Sequence, residues 1–289
     1  MGSTYCVRVS SNRRQPPPPP EPLAPLIDAH THLDACGAVD ADDVAAIVER
    51  AAAVGVEAVV TIADDLDSAR WVTRAAEWNP RVYAAVALHP TRVDALTDAA
   101  RAEIEALVAH PRVVAVGETG MDMYWPGRLD GCAQPDAQRE AFAWHIDLAK
   151  RTGKPLMIHN READREVLDV LRAEGAPETV IFHCFSSDSA MARECVAAGW
   201  LLSLSGTVSF RNARELREAV ALIPPEQLLV ETDAPFLTPH PYRGAANESY
   251  CLPYTVRALA ELLNRRPEDL ANITTSNARR AYGVRTALL

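Results

Sequence analysis

Short apolar runs alternate with amphipathic stretches from Leu26 to the end of the chain. Runs of β-branched and aliphatic residues that end in polar residues are typical of strands buried on both faces. On this pattern we predict strands over 26–32, 56–63, 82–89, 113–118, 155–159, 179–185, 200–205 and 228–233. The sequence therefore predicts a sheet that is covered on both sides.

The segments between these runs have a helical period. Asp42 to Val54 and Gln138 to Thr152 each place their apolar residues three or four positions apart, which gives one apolar stripe per segment. Eight strand–helix units over about 260 residues fit an α/β fold of the (β/α)₈, or TIM, barrel type. The alternative is a doubly wound open sheet. Such a sheet usually has a glycine-rich phosphate loop after an early strand, and the sequence has none.

The first 25 residues differ in composition from the rest. They include Arg13, Arg14 and the run Pro16–Pro20, so we predict a disordered, proline-rich tail over residues 1–25 and a barrel domain over residues 26–289. A spacer role is expected for the tail, with a proline ligand for a partner domain as the alternative. No other feature points to a stable protein partner.

Composition narrows the environment and the kind of partner. The chain has no apolar run long enough for a membrane span and no secretory signal core, and its six cysteines are scattered. We therefore expect a cytoplasmic protein with reduced thiols and no membrane contact. A net charge of −10 argues against a broad basic surface that coats nucleic acid. It does not exclude a nucleic-acid substrate, because divalent cations supply positive charge locally.

Residues with metal-ligand side chains lie at the ends of five predicted strands. His30 and His32 are two apart on the first strand and share a face. The others each close their own strand: Glu118, His159, His183 and Asp233. Parallel strands of a barrel end at one rim, where barrel active sites form. Burying six such groups without a cation would be costly, so we predict a metal site, and the number of ligands favours two ions.

Several segments together resemble the TatD family of metal-dependent deoxyribonucleases, within the amidohydrolase superfamily. They are IDAHTHLD (27–34), VGETGMD (116–122), IHNREA (158–163), FHCF (182–185), LSGTVSF (204–210), LVETDAPF (229–236) and PYRG (241–244). The resemblance extends in order from Leu26 to about Tyr282. Two departures are Asn160, where Thr is common, and the segment Ala245–Ser249. Both lie outside the metal ligands but next to the expected substrate path.

The resemblance implies a division of the ligands between two divalent ions. His30, His32, Glu118 and Asp233 would hold one ion, and Glu118, His159 and His183 the other, with Glu118 as the bridge. Mg²⁺ or Mn²⁺ is expected, with Zn²⁺ as the alternative. The implied activity is a 3′–5′ exonuclease on single-stranded DNA, with RNA also possible. Two ions activate a water for in-line attack on the phosphodiester.

Further roles follow from position in the sequence. Asp233 is expected to act as general base, and Glu118 is counted with it as catalytic. Arg161 and Arg243 are expected to hold phosphate oxygens. The other candidate substrate contacts are Phe185, Tyr124 and His89. Asp28 and Glu231 are expected to orient ligand histidines. Cys184 is expected on the opposite face from His183, packed as a small apolar residue.

Two other classes of function compete with a nuclease. One is a hydrolase of another ester or amide, such as an aminoacyl-tRNA deacylase, on the same scaffold. A carbamylated-lysine bridge is excluded there, because Lys150 and Lys154 are the only lysines and lie away from the predicted rim. The other is a protein in which the metal serves stability alone. That alternative is disfavoured because structural zinc sites usually have four filled positions, often with cysteine.

Overall fold

Eight parallel strands form the centre of the molecule in a computed structural model that describes residues 15–23 and 25–284. They are β1 (Leu26–Thr31), β2 (Val56–Ile62), β3 (Val82–Ala85), β4 (Val113–Asp122), β5 (Leu156–Arg161), β6 (Val180–Phe182), β7 (Leu201–Leu204) and β8 (Leu228–Val230). Each strand pairs with its neighbour in sequence. A parallel bridge between Thr31 and Ala234 brings β8 back to β1, so the predicted barrel is confirmed.

Helices follow the strands and cover the outside of the barrel. They are α1 (Ala41–Ala52), α2 (Leu66–Trp78), α3 (Asp98–Val108), α4 (Pro135–Thr152), α5 (Asp164–Glu174), α6 (Ser189–Ala197), α7 (Arg214–Val220), α8 (Leu252–Leu262) and α9 (Pro267–Tyr282). Four of them begin at a residue whose side chain accepts hydrogen bonds from the first backbone amides: Asp40, Asp65, Thr97 and Asp188. Such caps satisfy amides that have no partner within the helix.

Two apolar cores surround the strands. The larger lies between the outer faces of the strands and the helices. The smaller fills the barrel with side chains that include Val60, Met157, Ile181 and Leu229. The end of α9 closes the bottom of this inner core, where the Tyr282 hydroxyl donates a hydrogen bond to the carbonyl oxygen of Ala29, 3.1 Å away. The barrel is therefore packed and closed below, which leaves the other rim for a site.

Some strand ends differ from the predicted ones. Strand β4 extends to Asp122, four residues beyond the predicted end, because Gly120 and Asp122 pair with His159 and Arg161 of β5. Strand β6 ends at Phe182, and the chain turns at Cys184, which has a φ of +43°. On β1 the pairing with β2 shifts between Asp28 and Thr31, so strict alternation of faces fails there. These irregularities all lie near the upper rim.

Residues 15–23 lie against the barrel rather than away from it. Within this stretch Pro17, Pro20 and Leu23 are buried. The structure thus differs from the predicted disordered tail over these residues, and residues 1–14 lie outside the described part of the chain. In that described part the cysteines are free thiols, and no helix combines the length and apolarity that crossing a bilayer requires.

Strand β4 approaches β5 closely at Gly120, and a substitution there tests whether the fold requires this approach. Its φ is +137°, and a Cβ added there would collide with the carbonyl oxygen of His159. Gly37 also has a positive φ, +100°, but a Cβ there would meet nothing within 4 Å. We expect Gly120→Ala to lower the free energy of unfolding by about 3 kcal/mol and Gly37→Ala by only about 1 kcal/mol. Urea denaturation measures both, and equal losses would contradict the close approach.

Candidate metal centre

Four ligand groups from three strands meet near the ends of β1 and β8. The Nε2 atoms of His30 and His32 lie 3.2 Å apart. Asp233 Oδ1 is 3.5 Å from the first of these nitrogens and 3.6 Å from the second. Glu118 Oε1 lies 3.7 Å from both of them. Two imidazoles and two carboxylates therefore surround one point.

A second group meets the other oxygen of the same glutamate. Glu118 Oε2 is 2.8 Å from His183 Nε2 and 3.1 Å from His159 Nδ1. Those two nitrogens are 3.4 Å apart. The rings of His30 and His183 stack with centroids 3.9 Å apart, which joins the two groups into one cluster. The six residues that the sequence singled out as ligands thus converge at one rim, with Glu118 in the centre.

This cluster suits a cation by its chemistry. Imidazole nitrogens at 3.2–3.4 Å from one another, with carboxylate oxygens beside them, form a donor set that a positive ion completes. Glu231 Oε2 is also buried here without a hydrogen-bond partner in the described residues. The sets able to hold an ion also include Glu231, His89 and Asp64. Asp64 was not expected, because it follows directly after the second predicted strand, 56–63, and was not among the residues at the predicted strand ends.

Burial and charge set the protonation of several ligands. Burial alone would raise the pKa of Glu118, but the imidazoles of His183 and His159 hold it well below its usual range. Burial and the neighbouring His183 lower the pKa of His30. Burial would also lower the pKa of His32, yet Asp64 and Asp233 raise it to about 10. Because an imidazole binds metal only when neutral, an ion held by His32 would require this imidazole to lose its proton.

Buried carboxylates fix the outer nitrogens of two ligand histidines. Glu231 Oε1 lies 3.3 Å from His183 Nδ1 and accepts a hydrogen bond from the Cys184 amide at 2.7 Å. Asp122 Oδ2 lies 3.1 Å from His159 Nε2. Asp122 was missed because the fourth strand was predicted to end at Glu118. Continued alternation along the strand would have placed Asp122 on the face of Glu118.

Asp28 has a different set of partners from the one expected. Its carboxylate accepts hydrogen bonds from the Thr232 amide at 2.9 Å and the Thr232 hydroxyl at 2.6 Å. It lies 3.5 Å from the His30 amide and holds β1 to the end of β8 rather than contacting the His30 imidazole. Burial raises the pKa of Asp28 to about 7. This carboxyl group therefore secures the barrel closure below the ligands.

The turn at Cys184 changes the surroundings of two predicted residues. The Phe185 ring is only 3% exposed and packs in the outer core, so it does not stand at the mouth as expected. The Cys184 thiol lies 3.3 Å from the Ser205 hydroxyl, and burial together with Asp233 and Glu231 raises its pKa. The thiol therefore has a polar neighbour, rather than the apolar packing that was predicted. Period-two alternation could not reveal this, because the backbone leaves the strand conformation at Cys184.

The remaining candidates lie around the mouth. The Arg161 guanidinium is 4.1 Å from the centroid of the Tyr124 ring, and that of Arg243 is 4.4 Å from the Phe210 ring. The His89 ring is 4.4 Å from the His159 ring, and its Nδ1 lies 2.7 Å from the Thr91 hydroxyl. Phe236, which was not named as a contact, is 45% exposed with its ring 6.2 Å from the His32 ring.

Comparison with known proteins finds a matching family, similar sequences and a similar structure. The family model described as TatD related DNase matches residues 27–283. A Mycobacterium tuberculosis protein named "Uncharacterized metal-dependent hydrolase TatD" is 85% identical over 259 residues, which are 90% of this chain and 98% of the relative. A Musicola paradisiaca protein named "3'-5' ssDNA/RNA exonuclease TatD" is 33% identical over 82% of this chain and 90% of its own length. The crystal structure of YJJV, a TatD homolog from Escherichia coli, superposes with a TM-score of 0.82 at 27% identity, covering 90% of this chain and 98% of its own.

Metal binding can be measured without an activity assay. Adding Mn²⁺ to the metal-free protein at about 100 times its dissociation constant should stabilise the fold by about 2.7 kcal/mol, or about 5 to 10 °C in Tm. Glu118→Gln should lose most of this shift, because it removes the charge between both ligand groups. His110→Ala, at the far end of the barrel, should keep it. A shift that is the same in Glu118→Gln and wild type would exclude Glu118 as a ligand.

Proposed function

Because the chain belongs to the family of TatD-related DNases, we propose that this metal-dependent hydrolase is a nuclease that cleaves phosphodiester bonds from the 3′ end of single-stranded nucleic acid. One observation carries the proposal: the Glu118 carboxylate lies between two groups of ligands, with one oxygen toward each. Two ions held in this way suit in-line displacement at phosphorus. The name of the Musicola paradisiaca relative supports the same substrate class.

The residues fit a pair of divalent ions. His30, His32 and Asp233 would hold one ion and His159 and His183 the other, with Glu118 shared by both. Mg²⁺ or Mn²⁺ is the proposed pair, with Zn²⁺ as the alternative. When bound, such ions neutralise charge on the phosphodiester and make a water acidic enough to attack it. Asp122 and Glu231 keep the histidines turned toward them.

Asp233 is the proposed general base. Its side chain is 13% exposed, against 4% for Glu118 and none for Glu231, so among these three acids it is the most accessible to an incoming water. Its backbone is held by a hydrogen bond from its own amide to the His30 carbonyl oxygen at 2.9 Å. A carboxylate fixed beside the attacked phosphorus accepts the proton that the water loses.

Two arginine–aromatic pairs give the mouth a grip on the substrate backbone. Arg161 lies over Tyr124, and Arg243 lies over Phe210. Stacking on a ring limits the orientations of a guanidinium, and a guanidinium held in this way is suited to binding phosphate oxygens. Because the chain has a net charge of −10, these pairs and the bound ions supply the local positive charge that a polyanion needs.

Phe236 replaces Phe185 as the proposed contact to a nucleobase. The Phe236 ring is exposed, adjoins the ligand His32, and follows Asp233 by three residues. Its backbone is held by Asn247, whose side-chain amide donates to the Phe236 carbonyl oxygen at 2.7 Å. A fixed, exposed ring beside the reacting phosphate is suited to stacking on the base of the terminal nucleotide.

Nuclease activity is tested on purified protein with labelled oligonucleotides. With Mg²⁺ or Mn²⁺, the wild-type protein should shorten a single-stranded oligonucleotide from its 3′ end, and EDTA should stop the reaction. His159→Ala would remove a ligand of one ion, and Asp233→Ala the general base, whose usual contribution is at least about 100-fold. Each variant should lose about that factor or more in kcat/KM and stay folded by circular dichroism. His110→Ala, which removes an imidazole away from the site, should match wild type.

Two results would contradict this assignment. If His159→Ala or Asp233→Ala cleaved like wild type, those residues would not belong to the catalytic site. If wild type were inert on DNA and RNA but hydrolysed an ester or amide, such as an aminoacyl-tRNA, the chain would be a different hydrolase on the same scaffold.

A substrate whose terminal nucleotide lacks a base distinguishes two roles of Phe236: stacking on the nucleobase and packing against His32. Phe236→Ala should reduce kcat/KM about tenfold on an oligonucleotide with a normal 3′ nucleotide, because stacking contributes about 1–3 kcal/mol per base. The loss should vanish when the terminal nucleotide is abasic, and Phe236→Tyr should retain the activity. An equal loss on both substrates would assign Phe236 to packing against His32.

A further inference from the structure

The proline-rich segment of residues 15–23 has a repeating contact with the barrel. Pro17, Pro20 and Leu23 are buried, whereas Pro16, Pro18, Pro19, Glu21 and Pro22 are exposed. Burial at every third residue is the period of polyproline II, which has three residues per turn. One edge of an extended left-handed helix is therefore seated on the protein, and its other two edges face solvent.

Three side chains near the start of α8 donate hydrogen bonds to the backbone of this segment. The Tyr250 hydroxyl donates to the Pro17 carbonyl oxygen at 2.7 Å, and the Tyr254 hydroxyl to that of Pro18 at 2.9 Å. Arg257 Nη2 donates to the Glu21 carbonyl oxygen at 2.8 Å. Tyr254 and Arg257 are three residues apart on one face of α8, and Tyr250 lies in the turn just before the helix. Polyproline II makes no internal hydrogen bonds, so its carbonyl groups are free to accept them.

We propose that Tyr250, Tyr254 and Arg257 form a binding site for polyproline II segments, and that residues 15–23 are its resident ligand. The donors have the chemistry of polyproline recognition, in which aromatic side chains line the site and hydrogen-bond donors reach the carbonyl groups of the ligand: two of the three are tyrosines, and all three bond to backbone carbonyl oxygens of the segment. Proline preorganises the ligand, which lowers the entropy lost on docking. The site would take an extended proline-rich segment with an apolar residue at every third position.

The tether explains why the site is filled from within the chain. The Leu23 amide donates to the Val54 carbonyl oxygen at 2.9 Å, just before β1 begins, so the segment leaves the barrel next to the site. A short tether gives an effective concentration of about millimolar, which excludes a weaker ligand from solution. The site also adjoins the mouth, because the Tyr254 ring packs 5.1 Å from the ring of Tyr242, the neighbour of Arg243. The proposal nevertheless does not depend on the nuclease activity.

The test uses the full-length chain with two matched pairs of substitutions. Pro17→Ala with Pro20→Ala changes the buried edge, and Pro16→Ala with Pro19→Ala removes as many prolines from the exposed edges. Hydrogen exchange of the Leu23 amide reports docking, and fluorescence anisotropy of a labelled peptide of residues 15–23 reports binding from solution. The buried pair should speed exchange at Leu23 at least tenfold and allow the peptide to bind. In the wild-type protein and in the variant with the exposed-edge pair, the Leu23 amide should stay protected and the labelled peptide should not bind.

The tyrosine hydroxyls are tested separately. Adding Tyr250→Phe and Tyr254→Phe to the buried-edge variant keeps both rings and should weaken peptide binding at least tenfold. The same two changes in the otherwise wild-type chain should speed exchange at Leu23. Three results would overturn the proposal. The Leu23 amide could exchange at the same rate in the two proline variants, or the peptide could fail to bind although Leu23 has lost its protection. The third is an affinity for the peptide that does not change when both tyrosine hydroxyls are removed.

Discussion

The Glu118 carboxylate lies between two groups of imidazoles, and the surrounding strands hold it in that position. Its two oxygens face His30 and His32 on one side and His159 and His183 on the other. A buried charge so placed is tolerable only if the histidines and a cation compensate it. Strand β4 supplies this residue and extends far enough to pair with β5, which brings His159 into register beside it. The histidines at the upper rim of the barrel thus surround one charged side chain.

Closure of the barrel is the second condition, because Asp233 and the first two histidines come from opposite ends of the chain. Reciprocal backbone bonds join the ends of β1 and β8: the His32 amide donates to Ala234, and the Asp233 amide donates to His30. Below them, Asp28 accepts two bonds from Thr232. Asn247 then holds the turn that follows by donating to the carbonyl oxygens of Thr232 and Phe236. The backbones of Asp233, the proposed general base, and Phe236 are consequently held by the same junction that closes the sheet.

Much of this arrangement could be predicted from the sequence, because it depends on residue type and strand order. The six ligands end buried apolar runs, and parallel strands bring such ends to one rim. What could not be predicted depends on local backbone geometry. The chain turns at Cys184, which has a positive φ, so that its thiol lies beside the Ser205 hydroxyl and Phe185 packs in the outer core. Strand β4 extends to Asp122, which brings this carboxylate beside His159, because β4 pairs with β5. The sequence of β4 alone does not predict that pairing. The seating of residues 15–23 depends on tyrosines more than 200 positions away.

If this acidic protein acts on a polyanion, as proposed, its positive charge must be concentrated where the reaction occurs. Here the arginines near the site are tied to rings at two places on the rim, Arg161 after β5 and Arg243 in the loop after β8. For the proposed nucleic-acid substrate, a net charge of −10 makes long-range attraction weak, so that binding would depend on contacts made at the mouth. The two arginine–aromatic pairs therefore matter more to the proposed activity than the charge of the whole chain does.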